Sequence, residues 1–178
     1  MKITETKLEG AAFVVLEPKG DIRGSLTRLY DLEEFDGLSK TGMRIVQINH
    51  QYTKTKGTIR GLHYRIPYEQ KAVKCIRGMA WDVIVDIRKE SPTYLKWDAR
   101  TLFPEDLAVV YVPRGFAHGT QTLMDDTELL YFHSDFYDHN FEKGIRFDDP
   151  KLNIVWLLSP ELMSMRDLEL PNLEKSDA

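Results

Sequence analysis

Short runs of β-branched and aromatic residues, separated by Gly, Pro or Asp about every 8 to 12 residues, extend from residue 11 to residue 133. This pattern is typical of the strands and turns of an all-β protein. The clearest strand is 79–88, where the odd-numbered positions from Trp81 to Ile87 are apolar and the even-numbered positions are partly polar. We therefore expect one face of this strand to pack in a core.

A second strand is predicted immediately before it, at 71–76. The Arg77-Gly78 pair between the two strands favours a tight hairpin, so we predict that they pair antiparallel. Further strands are predicted at 13–16, 25–30, 45–52, 58–64, 95–102, 107–112, 119–123 and 128–133. So many short strands must close on one another, which favours a small barrel or a double-sheet jelly roll whose interior holds one small ligand.

Helical patterns are few and short. We predict one helix at 32–38 and another at 159–167, with Ser159 as its N-cap and Pro160 at its first helical position. No internal repeat or linker interrupts the chain before the polar tail at 174–178, which is expected to fray. The 178 residues therefore predict a single domain over 1–178.

Composition narrows the classes of partner. The net charge is −4, from 24 Lys and Arg against 28 Asp and Glu, and no basic stretch is interleaved with aromatics, which argues against nucleic acid. The apolar runs are far shorter than the roughly 20 residues of a spanning helix, so we expect no membrane segment. Residues 1–10 contain no apolar signal region, and a single cysteine, Cys75, forms no internal disulfide. We expect a cytoplasmic protein.

The stretch 57–65 places an arginine and a histidine inside one strand pattern. Strand alternation would put Arg60 and His63 on opposite faces, whereas a bulge at Gly61 would redirect one of them. The sequence leaves both arrangements open. Taken alone, His63 is equally well explained as a half-buried structural histidine.

Residues 113–118 read Pro-x-Gly-x-x-His and are similar to the second motif of the cupins. In metal-binding cupins the histidine of that motif acts together with a His-x-His pair. No such pair occurs among the five histidines His50, His63, His118, His133 and His139. We therefore expect neither a catalytic metal nor another cofactor.

In chain order, these segments resemble the nucleotide-sugar 4-keto-6-deoxyhexose epimerases, the cupin-fold family typified by dTDP-4-dehydrorhamnose 3,5-epimerase. The specific part of the resemblance is Arg-Gly-Leu-His at 60–63 together with Asp-x-x-x-Asp-x-Arg at 82–88. Other matching segments are 21–24, 47–49, 70–71, 77–78, 91–93, 113–119, Tyr131, Tyr137, 148–150 and Asp167. The resemblance implies an all-β, cupin-type jelly-roll β-barrel with a few short peripheral helices.

The resemblance also implies an activity: inversion of C3, C5 or both in a nucleotide-diphosphate 4-keto-6-deoxyhexose. His63 matches the base that removes a proton next to the C4 ketone. Lys71 matches the cation that stabilises the enolate. Tyr131 matches the acid that reprotonates from the opposite face, and Asp167 matches the carboxylate that orients the base.

The implied substrate contacts are more numerous. Those for the nucleotide and diphosphate are Arg23, Gln47, Asn49 and Arg60, and Arg28 is a further substrate-binding residue in a segment that meets the nucleotide. His118 and Asp82 match polar groups that line the pocket near the base, and Tyr137 matches a residue that packs against the substrate. The resemblance further implies a homodimer in which residues of one chain reach the pocket of the other.

Four residues depart from the usual pattern of the family. Arg28 stands where a glutamate is usual, Leu26 where a phenylalanine is usual, Arg65 where a glutamine is usual, and Thr120 where a phenylalanine follows His118-Gly119. Two of these departures add positive charge in segments that by resemblance meet the nucleotide. The base of the nucleotide therefore stays open among dTDP, CDP and GDP.

Three alternative functions remain open beside epimerisation. A 3,4-ketoisomerase acting on the same substrate class would move the carbonyl instead of inverting carbons. A non-catalytic cupin would bind a nucleotide sugar or serve as a dimer scaffold. A metal-dependent dioxygenase is the weakest alternative, because the chain lacks the His-x-His pair.

Overall fold

The computed structural model describes residues 1–36 and 42–173. Within them, strands and helices follow in the order β1 (Lys2–Glu5), β2 (Ala12–Val15), β3 (Lys19–Asp21), β4 (Gly24–Leu26), α1 (Leu32–Asp36), β5 (Gln47–Thr53), β6 (Ile59–Arg65), β7 (Lys71–Arg77), β8 (Ala80–Asp86), β9 (Trp97–Leu102), β10 (Ala108–Val112), β11 (Phe116–Thr122), β12 (Thr127–His133), β13 (Glu142–Gly144) and α2 (Met165–Leu168). Neither of these helices is long and apolar enough to cross a membrane. The end of the predicted helix 32–38 and the tail 174–178 lie outside the described residues.

The strands form two antiparallel sheets that pack face to face. One has six strands in the order β1-β2-β10-β7-β12-β5, and the other has five in the order β13-β6-β11-β8-β9. The hairpin of β3 and β4 stands apart from both. The prediction of an all-β jelly roll with a few short helices is confirmed, and its two sheets stay open at their edges instead of closing into one continuous barrel.

Three apolar clusters hold this arrangement together. Between the sheets, Phe13, Val110 and Leu129 of the six-stranded sheet meet Ile84 and Phe116 of the five-stranded sheet. A second cluster covers the outer face of the six-stranded sheet, and a third covers the outer face of the five-stranded sheet beneath the C-terminal segment. Burial on both faces explains why central strand β10, Ala-Val-Val-Tyr-Val, is apolar throughout.

Strand β8 carries polar side chains into the core between the two sheets. Its odd-numbered residues, from Trp81 to Val85, pack outward against the C-terminal segment, while Ile84 belongs to the core between the sheets. The partly polar face seen in the sequence is therefore the inner one. Asp82 and Asp86 are both fully buried there and are hydrogen-bonded to neighbouring side chains.

The predicted hairpin between 71–76 and 79–88 is wrong. Strand β7 lies in the six-stranded sheet between β10 and β12, and β8 lies in the five-stranded sheet between β11 and β9. The Arg77-Gly78 turn crosses from one sheet to the other. Gly78 has φ +73°, and a Cβ there would lie 2.6 Å from Oγ1 of Thr127, so the crossing needs a glycine as much as a hairpin would.

The helix predicted at 159–167 is also wrong. The backbone before α2 is extended, and it pairs with the start of β6: Glu161 N–H donates to the carbonyl of Gly57, and Ile59 N–H donates to the carbonyl of Leu162. Only the four residues of α2 are helical, with Ser164 and not Ser159 as N-cap. Pairing with β6 satisfies backbone groups that a local helix would otherwise have satisfied.

The remaining differences concern short edge elements. The structure adds β1, β3 and β13, which the sequence pattern did not predict. The predicted strand 25–30 is reduced to its first two residues, in the exposed β4. The predicted strand 95–102 begins only at Trp97, because Leu95 has a left-handed backbone conformation at φ +60°.

An irregularity in β6 settles the question of Arg60 and His63. His118 of β11 faces His63, and Thr120 faces Arg60, so three residue steps on β6 match two on β11. The extra residue brings both side chains to the same cavity. Gly61 has φ +114°, and a Cβ there would lie 2.7 Å from the carbonyl oxygen of His118.

Replacing Gly61 should therefore be costly. We expect Gly61→Ala to lower the free energy of unfolding by at least about 3 kcal/mol, because backbone strain of roughly 1–3 kcal/mol is joined by a clash with β11. Gly24→Ala is the matched control: its φ is +132°, but nothing lies within 4 Å of the place that its methyl group would occupy. Urea denaturation of both variants measures the difference, and equal losses would contradict the role given to the contact with β11.

Candidate active site

A cavity of about 430 Å³ lies between the two sheets, lined by residues of β5, β7 and β12 on one wall and of β6 and β11 on the other. Eight of the side chains predicted from sequence line it: Gln47, Asn49, Arg60, His63, Lys71, His118, Tyr131 and Tyr137. The fold thus brings together, in one space, residues that are scattered over 91 positions of the chain (47 to 137 inclusive).

His63 is held from behind by a buried carboxylate. Its Nε2 lies 2.6 Å from Oδ1 of Asp167, which α2 delivers with Ser164 capping the helix. Burial would raise the pKa of Asp167, but the hydrogen bond and charge of His63, together with hydrogen bonds from Ser164 and the backbone of Gly61, hold the pKa below its usual value. The ionised carboxylate accepts from Nε2 and leaves Nδ1 as the basic nitrogen of the ring.

Tyr131 belongs to the opposite wall. It lies on β12 of the six-stranded sheet, whereas His63 lies on β6 of the five-stranded sheet. Burial, assisted by the charge of Asp82, raises the pKa of Tyr131 well above its usual value, while hydrogen bonds with Thr120 and Gln51 act in the other direction. The phenol is therefore protonated at neutral pH, which is the form that has a proton to give.

A second histidine–aspartate pair supports Tyr131. Nε2 of His118 lies 3.0 Å from both carboxylate oxygens of the buried Asp82. Its ring meets that of Tyr131 edge-on, with centroids 5.9 Å apart. Burial lowers the pKa of His118, so the imidazole is neutral and acts as a fixed hydrogen-bond donor to Asp82.

Lys71 ends in a cluster of charges around Glu69. The carboxylate of Glu69 lies 3.7 Å from Nζ of Lys71, 3.6 Å from Nη1 of Arg65 and 3.2 Å from Nδ1 of His133. Burial would raise the pKa of Glu69, but the hydrogen bond with His133 and the two cations lower it to about 2. Glu69 therefore stays ionised and holds Lys71 at the cavity wall.

Glu69 and His133 are among the cavity residues that were not predicted from the sequence. No motif contains them, and their positions relative to Lys71 depend on the pairing of strands that lie far apart in sequence. The one available signal was Arg65, a departure from the usual glutamine, which adds a cation that the ionised Glu69 partly neutralises.

Known proteins match this chain over nearly its whole length. The family model for dTDP-4-dehydrorhamnose 3,5-epimerase matches residues 5–175. A dTDP-4-dehydrorhamnose 3,5-epimerase of Shigella flexneri is 38% identical over 172 residues, which cover 94% of this chain and 93% of that protein. A dTDP-4-dehydrorhamnose 3-epimerase of Streptomyces niveus is 32% identical over 169 residues, which cover 94% and 81%.

Solved structures agree with the sequence comparisons. The crystal structure of a dTDP-6-deoxy-D-glucose-3,5-epimerase from Legionella pneumophila, in complex with dTDP-4-keto-L-rhamnose, matches with a TM-score of 0.91 at 31% identity. The match covers 97% of this chain and 93% of that one. The chain belongs to the dTDP-4-dehydrorhamnose 3,5-epimerase family. It is an isomerase, a carbohydrate epimerase of nucleotide sugars, as the sequence predicted.

The mouth of the cavity in this epimerase is built from amides and aromatic rings. Gln47 donates to Oδ1 of Asn49 at 2.9 Å and accepts from the backbone N–H of Tyr137 at 2.9 Å. The Tyr137 hydroxyl donates to Glu142, which Arg166 of α2 holds at 2.8 Å. The Tyr137 ring is left exposed beside the cavity, where it can pack on a bound ligand.

Two predicted substrate contacts of the epimerase lie elsewhere in the chain. Arg23 is at the tip of the β3–β4 hairpin, with 85% of its side chain exposed, and it pairs with Asp21. Arg28 pairs with Asp31 and Glu34. Neither arginine lines the cavity of its own chain.

The departure at Thr120 also has a visible consequence in the epimerase. Its hydroxyl lies within hydrogen-bond reach of Tyr131, where a phenylalanine would offer only a ring.

As for metals, no group of three or more His, Cys, Asp or Glu side chains among residues 1–36 and 42–173 is arranged to hold an ion.

Because of the charge cluster, the free energy of unfolding at acidic pH depends on Glu69. Because its pKa is lowered from 4.5 to about 2 in the folded chain, the ionised form contributes stability above pH 4.5, and this contribution is lost as the pH falls toward 2. We expect Glu69→Gln to be less stable than wild type at pH 6, with a gap that narrows steadily below pH 4.5. Urea denaturation at pH 6, 4.5 and 3.5 measures the gap; one that stays constant would contradict the assignment.

Proposed function

We propose that this epimerase inverts C3 and C5 of a dTDP-linked 4-keto-6-deoxyhexose, with His63 as base, Lys71 as the enolate-stabilising cation and Tyr131 as acid. The observation that carries the proposal is the placement of His63 and Tyr131 on facing walls of one cavity. A base and an acid on opposite sides of a sugar ring are what inversion of a carbon requires.

The first step removes a proton. The C4 ketone acidifies the hydrogens on C3 and C5, and Nδ1 of His63 takes one of them. The electrons of the broken C–H bond form the enolate, whose negative charge develops on the C4 oxygen. Asp167 stabilises the resulting imidazolium, and Lys71 stabilises the oxygen inside a cavity where water screens the charge poorly.

The second step returns a proton to the other face. The Tyr131 hydroxyl donates it to the carbon, the carbonyl re-forms, and the electron pair of the broken O–H bond stays on the phenolate. His63 is then an imidazolium and Tyr131 a phenolate. Proton exchange with solvent returns His63 to the neutral imidazole and Tyr131 to the phenol. The burial that raises the pKa of Tyr131 makes the phenolate short-lived and keeps the phenol ready for the second carbon.

The nucleotide is assigned to dTDP because the relatives are named for dTDP sugars and one of them holds dTDP-4-keto-L-rhamnose. Gln47, Asn49, Arg60 and Tyr137 at the mouth are the contacts we assign to it. Arg28 and Arg65 are the residues that would alter this preference, so CDP- and GDP-linked sugars belong in the same assay.

A homodimer completes the site in this proposal. The β3–β4 hairpin projects from its own chain, with Ile22 fully exposed at its tip beside Arg23. Full exposure of a large apolar side chain at such a tip is typical of a surface that binds a partner. We propose that the hairpin enters the cavity of a second copy, where Arg23 and Arg28 meet the diphosphate. The whole chain, 1–178, is treated as one domain, and the cytoplasm remains our expectation for where it works.

Deuterium exchange tests the chemistry directly. In deuterated water with dTDP-4-keto-6-deoxyglucose, we expect loss of both the C3 and the C5 proton signals in NMR. His63→Asn should abolish exchange, because no base remains. Tyr131→Phe should still exchange slowly but with retained configuration, because His63 can return deuterium to the face from which it took the proton.

Each alternative has its own signature in this assay. Exchange at C3 alone would make the enzyme a 3-epimerase, and a product with the carbonyl at C3 would make it a 3,4-ketoisomerase. A binding module would show no exchange with dTDP-, CDP- or GDP-linked sugars, and His63→Asn would leave its ligand binding unchanged.

Subunit complementation tests the dimer. Arg23→Ala and His63→Asn should each be nearly inactive when purified alone. If Arg23 acts in the partner's cavity, mixed dimers contain one intact cavity, and random mixing should restore about one quarter of wild-type activity. If Arg23 acts within its own chain, no mixed dimer has an intact cavity. Light scattering of the wild type, which should report a dimer, accompanies the mixing experiment.

A further inference from the structure

A line of polar contacts runs along one wall of the cavity, from its mouth to the charge cluster around Glu69. Tyr137 N–H donates to Gln47, and Gln47 donates to Oδ1 of Asn49. Nδ2 of Asn49 lies 3.4 Å from Nε2 of His133, and Nδ1 of His133 lies 3.2 Å from Glu69. Among these residues, His133 alone takes part through a side-chain ring, and it has no role in the chemistry proposed above.

The contacts determine which nitrogen of His133 carries a proton. The Asn49 oxygen is already used as the acceptor for Gln47, so its amide nitrogen is the group that faces the ring. Nε2 of His133 is then an acceptor, and Nδ1 carries the proton that it donates to the Glu69 carboxylate. Every hydrogen bond in the line consequently points from the mouth towards Glu69.

Strand register explains why His133 occupies this place. It lies at the end of β12, the strand between β5 and β7, and it is the cross-strand partner of both Gln47 and Lys71. No other position in β12 adjoins both residues. The groups around the ring are Tyr131, stacked at 6.0 Å and 15°, Asn49 from β5, and Glu69 with its ion-paired Lys71.

We propose that His133 is a positioning residue that joins the amides at the nucleotide end of the cavity to the carboxylate that holds Lys71. One edge of the ring fixes Asn49, and the other fixes Glu69. A nucleotide that engages the amides then binds to the same rigid unit that aims the ammonium at the C4 oxygen. This inference rests on the proposed function, because it takes the roles of Asn49 and Lys71 from it.

Two substitutions separate the two edges of the ring. The side-chain amide of His133→Asn reaches the position of Nδ1, so it keeps the donor to Glu69 and loses the contact with Asn49. The amide of His133→Gln reaches the position of Nε2, so it keeps an acceptor for Asn49 and loses the donor to Glu69. The same two substitutions at His139, whose side chain is 77% exposed outside the cavity, are the matched controls.

The two variants should fail in different ways. We expect His133→Asn to raise the Kd for dTDP, measured by calorimetry, and the KM about 10-fold while kcat falls less than threefold. We expect His133→Gln to lower kcat about 10-fold while the Kd for dTDP changes less than threefold. The His139 variants should match wild type in each measurement.

A merely structural role would lower the thermal midpoint of both His133 variants and change kcat and KM together. The same pattern in both variants would therefore overturn the inference. Failure of the proposed function looks different, because wild type itself would then neither exchange deuterium nor turn over. The calorimetric arm still decides the inference in that case: unless His133→Asn weakens dTDP binding at least about threefold more than His133→Gln does, the inference is overturned.

Discussion

Three carboxylates at or behind the cavity wall are each paired with a histidine, and the rest of the site depends on this pairing. Asp167 holds His63, Asp82 holds His118, and Glu69 holds His133. Charges in the core of a two-sheet sandwich are tolerated only when they are paired and hydrogen-bonded, so each histidine offsets the cost of burying its carboxylate while the carboxylate orients the ring. Removing one carboxylate therefore disturbs an orientation as well as a charge.

The broadest expectation from the pattern, an all-β jelly roll, followed from local periodicity and is confirmed. The errors arose where a local signal suits two structures. Gly78 permits a hairpin turn as well as a crossing between sheets, and only the long-range pairing of β7 with β12 decides between them. Likewise, Ser159-Pro160 suits a helix start, but pairing of the following residues with β6 prevents that helix.

The candidate site was predictable where the family pattern named a residue and not where strands decide neighbours. Eight predicted side chains line the cavity, and Asp167 lies directly behind His63. Glu69 and His133 lie 64 residues apart in the chain and meet because β7 and β12 pair. The position of Asp167 depends even more strongly on long-range contacts. A four-residue helix has no stability of its own, so α2 forms only because the C-terminal segment pairs with the residues at the start of β6.

In the proposed mechanism, the facing sheets let one base and one acid serve two carbons. C3 and C5 lie on either side of C4, so a ring whose C4 oxygen stays against Lys71 can present either carbon to His63 by turning about that contact. Tyr131 then faces whichever carbon His63 has deprotonated, because the two residues belong to different walls.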